Sequence, residues 1–296
     1  MTGDEELESM ARTLVASGDY KVLRRLHVRD PIVPPAGAQV RVGVVVDVET
    51  TGLDPLRDEI IELAMMPFTY GLDGTVYAVG ESFQKLRDPG RPIPPQITAI
   101  TGIDDAMVEG RSIDPAEVVA FVASADVVIA HNAAFDRRFV ERFCAAFVVK
   151  PWACSMTQID WAAEGFEGSK LAYLIQSIGL FYERHRAEHD CLATVELLAT
   201  ELPKSGGSAL ARLLEAARRP SWRIWADNSP FDLKDALKAR GYRWNGQGAP
   251  PRAWYIDVRD EDREAELRFL TTEIYRSEYD PLVRRIDAYD RFSDRC

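Results

Sequence analysis

Residues 42–54 read Val-Gly-Val-Val-Val-Asp-Val-Glu-Thr-Thr-Gly-Leu-Asp, and the rest of the chain is organised around them. Its first part is a run of β-branched residues without charge before Asp47, which is typical of a buried strand covered on both faces. Asp47 and Glu49 are two residues apart, so on a strand both carboxylates leave the same face. Crowded carboxylates repel each other and resist burial, and Mg²⁺ or Mn²⁺ relieves both effects. The pattern predicts a metal site, although two acids pointing into water explain this stretch equally well when it is taken alone.

The composition is that of a soluble globular protein. The chain has 296 residues, 46% hydrophobic and 28% charged, which allows one large domain with additions or two domains. No apolar run is long enough for a membrane span, and the acidic N-terminus (Asp4, Glu5, Glu6) does not resemble a signal peptide. We therefore expect a cytoplasmic protein without membrane contact. The cysteines form no Cys-x-x-Cys pair, which predicts reduced thiols at Cys144, Cys154, Cys191 and Cys296.

Charge is distributed unevenly along the chain. The net charge of −11 argues against non-specific binding of polyanions over the whole surface. Residues 1–217 carry 20 basic and 32 acidic side chains, whereas residues 218–259 carry nine basic and four acidic ones. Any contact with nucleic acid outside the metal site is therefore predicted in the second region.

Apolar periodicity and turn signals outline the remaining elements. They predict strands at 59–68, 76–83 and 126–130, with a hairpin turn at 71–74. Helices are predicted at 4–17, 114–123, 133–147, 169–178 (capped by Ser169), 188–201 and 209–219, and residues 204–208 are typical of a flexible linker. The chain thus begins with successive strands and continues with strands that alternate with helices. This order indicates an α/β domain with a mixed sheet and flanking helices.

Two further motifs bring acids and histidines to helix starts. His131-Asn132-Ala133-Ala134-Phe135-Asp136 follows the third of these strands directly, at a strand-to-helix junction where α/β proteins gather ligands. Downstream, His185 precedes Asp190 by five residues at the start of another predicted helix. With Asp-x-Glu-Thr-Thr-Gly, the ordered set resembles the DEDDh 3′→5′ exonucleases, which have an RNase H-like fold. The resemblance covers residues 41–203 and includes the segment from Ile93 to Ile103.

The resemblance implies a site and a chemistry. Asp47, Glu49, Asp136 and Asp190 would hold two divalent ions, Mg²⁺ or Mn²⁺, with Asp47 bridging them. His185 would be the general base that takes a proton from the attacking water, and a nucleoside 5′-monophosphate would leave. All five residues are predicted to be catalytic.

His189 is the alternative to His185 as the base. It directly precedes Asp190, so on a helix it points about 100° away from that acid. The spacing of the family motif also favours His185, and His189 is then a capping or surface residue.

Residues around the first two motifs are predicted to contact the terminal nucleotide. They are Thr50, Thr51, Gly52, Leu53, His131, Asn132 and Phe135. Leu53 is expected either to wedge against the base or to pack in the core. For His131 we favour structural hydrogen bonding over metal ligation, and for Phe135 core packing over stacking.

The ends of the chain are predicted to be additions to the nuclease domain. Residues 1–40 would form an N-terminal helical extension, and residues 218–296 a small α+β module with a helical tail. This module has helices at 231–240 and 263–275, and strands at 241–244 and 252–256 around a turn at 245–248. Its aromatic and basic residues are typical of a platform for single-stranded nucleic acid. Core packing is the favoured role for most of the tryptophans, with the basic residues as the binding face.

The sequence therefore predicts a metal-dependent 3′→5′ exonuclease acting on single-stranded DNA. One alternative is an exoribonuclease that trims RNA 3′ ends. Another is a nucleic-acid-binding subunit of a replication or repair assembly, with a polymerase, a repair protein or a second copy of the chain as its partner.

Overall fold

The computed structural model describes residues 3–246 and 251–295. The predicted first helix is α1 (Gly3–Ala16), and a short strand β1 (Arg24–Arg25) follows it. An ion pair of 2.6 Å between Arg24 Nε and Glu8 Oε1 joins the two. In the described part of the chain, no helix is both long and apolar enough to cross a membrane.

A six-stranded mixed sheet forms the centre of the molecule. Its strands are β2 (Val40–Thr50), β3 (Ile60–Gly71), β4 (Val76–Val79), β5 (Phe83–Leu86), β6 (Val127–Ala130) and β7 (Trp152–Cys154). The strand order is β4-β3-β2-β6-β7, and β5 also pairs with β3. The β2–β3 pair is antiparallel, whereas β2, β6 and β7 are parallel. The carboxyl ends of β2, β6 and β7 therefore lie along one edge of the sheet.

Helices cover both faces of this sheet. They are α2 (Pro95–Thr101), α3 (Asp105–Val108), α4 (Pro115–Val122), α5 (Ala133–Phe143), α6 (Leu171–Ser177), α7 (Ala187–Ala199) and α8 (Ala209–Arg218). Strand β8 (Leu180–Phe181) pairs in parallel with β1 and so ties the N-terminal extension to the domain. The predicted fold class, a mixed sheet between flanking helices with a small module attached, is confirmed.

The side chains of β2 point alternately to the two faces of the sheet, and so the core has two layers. Val44 and Val46 pack with α4 and α5, whereas Val45 packs with α6, α7 and α8. Asp47 and Glu49 share the parity of Val45 and so leave the sheet on the α7 face. The predicted reduced cysteines are confirmed as buried free thiols at Cys144, Cys154 and Cys191, while Cys296 lies outside the described residues.

Several predicted boundaries in this domain are wrong. The predicted strand 76–83 breaks into β4 and β5 because Pro67 on β3 has no amide hydrogen and its ring lies against Gly80. The predicted helix 133–147 ends at Phe143, and a 3₁₀ turn follows it (Ala145–Phe147). Helix α6 begins after Lys170, so Ser169 is not its cap.

The predicted flexible linker at 204–208 is anchored by hydrogen bonds. The Glu164 carboxylate accepts hydrogen bonds from the backbone N–H groups of Lys204 and Ser205. The Ser208 hydroxyl accepts from the Ala211 N–H at 3.1 Å and donates to the Gly74 carbonyl at 2.8 Å. Helix α8 consequently packs into the same core layer as α7.

A four-stranded antiparallel sheet with two helical segments forms the C-terminal module. Its strands are β9 (Ser221–Ala226), β10 (Arg243–Trp244), β11 (Trp254–Arg259) and β12 (Val283–Ile286), in the order β10-β11-β9-β12. The helical segments are a 3₁₀ turn (Phe231–Leu233) leading into α9 (Lys234–Ala239), and a 3₁₀ turn (Asp260–Asp262) leading into α10 (Arg263–Phe269) and a π-helix (Leu270–Tyr275). Ile224, Leu237, Leu270 and Ile274 form its core.

The predicted helical tail is wrong, because β12 occupies this position. Val283 and Ile286 pair with Ile224 and Ser221 on the edge of β9. The unpaired N–H and C=O groups at the edge of β9 form hydrogen bonds with this segment. These bonds stabilise the strand more than the helix-like pattern of the local sequence stabilises a helix. Strand β9 was itself not predicted. The predicted turn at 245–248 lies partly outside the described residues, since it includes Gln247 and Gly248.

The tail that follows β12 is fixed to the nuclease domain through Arg137 on α5. The Arg137 side chain is 0% exposed, and its Nε–H donates to Glu141 Oε1 at 2.7 Å. Its Nη1 donates to the carbonyls of Arg291 (2.6 Å) and Ala288 (3.3 Å), and Nη2 donates to the Tyr289 carbonyl. A buried guanidinium is stable only when its donors are paired, so the tail completes the environment of α5.

We expect Arg137→Ala to destabilise the protein by about 2–4 kcal/mol, because it removes four hydrogen bonds of a buried guanidinium and leaves its space empty. The neighbouring Arg138 provides a matched control, since it also contacts the tail, through Asp294, but is 41% exposed. Arg138→Ala should cost about 1 kcal/mol or less. Urea unfolding and limited proteolysis of the tail measure both variants. Equal losses of stability would contradict the role given to Arg137.

Candidate active site

Three predicted acids lie together on the α7 face of the sheet. Asp47 and Glu49 leave β2 on this face, and Asp190 lies in the first turn of α7. Each offers a carboxylate oxygen that lies within 4.8 Å of the other two. Oxygen donors at this spacing are the ligands that Mg²⁺ and Mn²⁺ prefer.

Asp136 approaches the same strand from the first turn of α5. Its side chain is buried, and Oδ1 accepts a hydrogen bond of 3.2 Å from the backbone N–H of Val48, which lies between Asp47 and Glu49. Asn132 makes this approach possible, because its φ of 95° turns the chain sharply from β6 into α5. The fourth acid is therefore held beside the other three, although it is outside the group that lies within 4.8 Å.

Burial raises the pKa values of all four carboxyl groups, and repulsion by neighbouring acids adds to this effect for Asp47, Glu49 and Asp136. For Asp47 the pKa is raised well above its usual value, first by burial and then by the charges of Asp136, Asp190 and Glu49. Burial, followed by the charge of Asp190, raises the pKa of Glu49 to about 8. Burial likewise raises the pKa of Asp136 to about 8, and it raises that of Asp190. Bound cations would favour the charged forms, so this donor set fits divalent metal.

The loop before α7 carries the predicted base. His185 is exposed and has a φ of 64°, a conformation that is strained for most side chains but better tolerated by histidine. Its backbone N–H donates to Asp190 Oδ2 at 3.0 Å, which ties the loop to the acid cluster. The alternative base, His189, donates from Nδ1 to the Glu183 carbonyl at 3.1 Å and so contributes to the shape of this loop.

The turn after β2 is built from residues that were predicted to contact substrate. The Thr50 hydroxyl donates to the Gly52 carbonyl at 2.6 Å, and that of Thr51 donates to Asp58 Oδ1 at 3.1 Å. A Cβ on Gly52 would lie 2.4 Å from Asp58 Oδ2, so glycine is required there. Leu53 is 83% exposed, which excludes the core-packing alternative in this structure.

The second motif contributes a cavity and a fixed histidine. Leu53, Asn132 and Phe135 help to line a cavity of about 230 Å³, and the Phe135 ring packs 4.9 Å from that of Phe139. His131 Nε2 donates to the Ser169 carbonyl at 2.7 Å, so Nδ1 accepts from the Ser155 hydroxyl at 2.9 Å. Burial lowers the pKa of His131 to about 4, which fits a neutral ring held between two loops.

Two neighbours of the acid cluster were missed in the sequence. Glu62 is fully buried opposite Glu49, and accepts from Gln84 Nε2 at 2.6 Å and from the Ala187 N–H at 3.1 Å. It therefore fixes the start of α7, the helix that carries Asp190. The signal was an acid within the apolar run 60–64. Tyr182, whose hydroxyl donates to Asp190 Oδ1 at 2.7 Å, gave no comparable signal.

Comparison with known proteins identifies the domain. The family model described as Exonuclease (RNase_T) matches residues 44–198, which include all four acids and His185. The chain belongs to this exonuclease family. The predicted resemblance to 3′→5′ exonucleases of the DEDDh type is thereby confirmed.

The exonuclease is similar to parts of longer polymerase proteins. It is 34% identical over 174 residues to a DNA polymerase III subunit epsilon-like protein of Rhodobacter capsulatus, covering 54% of this chain and 23% of that protein. It is 38% identical over 170 residues to a DNA polymerase III PolC-type of Listeria welshimeri, covering 54% of this chain and 11% of that one. The chain thus spans less than a quarter of the length of these curated relatives.

Among solved structures, the chain has the same fold as E. coli ExoI in the zinc-bound form of its complex with ssDNA. The TM-score is 0.50 at 14% sequence identity, with 85% of this chain and 66% of that chain covered. At this level of identity the similarity concerns the fold alone.

The raised pKa values predict how the metal-free exonuclease responds to pH. The folded acids bind protons up to about pH 8, whereas unfolded carboxyls lose them near pH 4. The folded state therefore binds more protons between these values, and its stability falls as pH rises through this window. In EDTA, the melting temperature should decrease from about pH 5 to about pH 8, and Mn²⁺ should restore it at the higher pH.

Asp47→Asn provides the control for this titration, because it removes one of the repelling charges. Its melting temperature in EDTA should fall less steeply with pH than that of the unaltered protein. A metal-free protein whose stability is unchanged across this range would contradict the crowding of acids described above.

Proposed function

We propose that the chain is a 3′→5′ exonuclease that removes nucleotides from single-stranded DNA as nucleoside 5′-monophosphates. The observation that carries the proposal is the convergence of Asp47, Glu49 and Asp190 within 4.8 Å, beside the buried Asp136. We assign the nuclease unit to residues 41–203, with residues 1–40 as an extension and 218–296 as an accessory module.

The four acids would hold two divalent ions, Mg²⁺ or Mn²⁺, which supply charge stabilisation and an acidified water at the scissile phosphate. The protein's own contribution is to keep the carboxylates aimed at one point. Val48 orients Asp136, and Tyr182 together with the backbone of His185 occupies both oxygens of Asp190. These contacts limit rotation of the acids when charge builds up in the transition state.

His185 would take the proton from the attacking water. Its ring is exposed, and histidine is the side chain that most often transfers protons in enzyme active sites. The hydrogen bond from its backbone to Asp190 couples the position of the base to that of a metal ligand. His189 is already bonded to the Glu183 carbonyl, which supports the choice of His185.

The terminal nucleotide would lie against the turn after β2. Leu53 is exposed and lines the cavity shared with Asn132 and Phe135, so its side chain can pack against a base. Intramolecular hydrogen bonds already engage the side chains of Thr50, Thr51 and His131. These residues would therefore act by shaping the cavity.

The relatives favour DNA as the substrate. One is named a DNA polymerase III subunit epsilon-like protein and the other a DNA polymerase III PolC-type, so assembly of this chain with a DNA polymerase is also proposed.

Asp47→Asn should abolish hydrolysis of a 3′-labelled single-stranded oligonucleotide, because it removes the proposed bridging ligand. His185→Ala should lower kcat about 10²- to 10⁴-fold, the usual contribution of a general base. His189→Ala is the matched control and should lower kcat at most about tenfold, because it removes only a hydrogen bond that shapes the loop. Each variant is measured with Mg²⁺ or Mn²⁺ and with EDTA, after its melting temperature has shown that it folds.

Full activity in Asp47→Asn, or a greater loss in His189→Ala than in His185→Ala, would refute these roles. The same assay with matched DNA and RNA strands tests the substrate. Faster hydrolysis of RNA would reject DNA in favour of an exoribonuclease.

A further inference from the structure

The structure separates the aromatic residues of the C-terminal module into buried and exposed groups. Trp225 and Tyr242 are buried, and Trp222 is half-buried with the Arg263 guanidinium 4.2 Å from its ring centroid. In contrast, Phe231 is 76% exposed and Trp244 is 55% exposed. Core packing therefore explains the first group but not the exposure of the second.

The two exposed rings are the ends of one continuous row. Lys234 Nζ lies 4.0 Å from the centroid of Phe231, and Lys238 follows one turn later on the same face of α9. Lys238 Nζ lies 5.8 Å from the centroid of Trp254, whose ring is 5.6 Å from that of Trp244 in an edge-to-face arrangement. We name these five residues the aromatic–lysine row.

The row carries the two kinds of side chain that bind a single nucleic-acid strand. Exposed aromatic faces stack on unpaired bases, and lysines between them neutralise phosphates. The surrounding region, residues 218–259, carries nine basic and four acidic side chains, whereas residues 1–217 have 12 more acidic than basic ones. A polyanion is therefore repelled by residues 1–217 and attracted to the segment 218–259. The module as a whole, residues 218–296, carries 16 basic and 15 acidic side chains, so the attraction is local to this segment.

We propose that the aromatic–lysine row binds single-stranded DNA upstream of the 3′ end that enters the active site. This inference rests on the proposed exonuclease function and adds a second point of contact with the same strand. Bases stack on Phe231 and Trp244, while Lys234 and Lys238 contact the backbone between them. The row accordingly increases affinity for long strands and leaves the chemistry at the acids unchanged.

The test compares Phe231→Ala/Trp244→Ala with the unaltered full chain. Fluorescence anisotropy in EDTA measures Kd for labelled oligo-dT of increasing length. We expect the double variant to raise Kd for the long strands about tenfold or more. Hydrolysis of the p-nitrophenyl ester of thymidine 5′-monophosphate, which is too small to reach the row, should be unchanged. Tyr20→Ala, which removes an exposed aromatic beside Lys21 outside the module, should leave both measurements unchanged.

Lys234→Gln/Lys238→Gln tests the row without altering an aromatic residue. The salt dependence of binding should lose a slope of about 0.7 for each phosphate contact removed. An unchanged Kd and slope in both double variants would overturn the proposal, as would a dimer that dissociates in Phe231→Ala/Trp244→Ala without a change in Kd. If the unaltered protein hydrolyses neither the ester nor DNA, the exonuclease function itself fails. If the unaltered protein hydrolyses both the ester and DNA, but the two double variants bind DNA normally, only the proposed role of the row is rejected.

Discussion

The structure depends on holding four carboxylates close together against their mutual repulsion. Asp47 and Glu49 are fixed by a strand that is buried on both faces, and Asp136 and Asp190 lie in the first turns of two helices packed on opposite faces. Helix N-termini favour negative charge, and backbone N–H groups bond to both helical acids. The remaining electrostatic cost appears as raised carboxyl pKa values, and divalent cations are the natural means of relieving it.

The C-terminal module is joined to this arrangement through a buried contact. Arg137 directly follows Asp136 on α5, and its guanidinium binds three carbonyls of the tail. Trp152 on the central sheet donates its backbone N–H to the Ala288 carbonyl at 2.8 Å, next to the same contact. The tail is therefore part of the packing around a proposed metal ligand, and the module is held in a fixed position beside the nuclease domain. Such a fixed position suits a surface that would hold the same strand as the active site.

Much of the site could be predicted from sequence because its residues follow short-range rules. A strand of period two places Asp47 and Glu49 on one face. The strand-to-helix junction at Asn132 and the helix start at Ala187 place the other acids beside them. Glu62 and Tyr182 were missed, since their roles arise from strand register and loop packing across distant parts of the chain. Strand β12 was missed for the same reason, because pairing with β9 decided its conformation. The exposure of Leu53, Phe231 and Trp244 likewise required the tertiary structure.

Anomalous diffraction from crystals of the full chain grown with Mn²⁺ and a nucleoside 5′-monophosphate would test the metal site itself. Two anomalous peaks should lie between Asp47, Glu49, Asp136 and Asp190, with the nucleotide phosphate touching both and the His185 ring facing it. Crystals that bind the nucleotide elsewhere, or that show no manganese among these four acids, would contradict the proposed metal site.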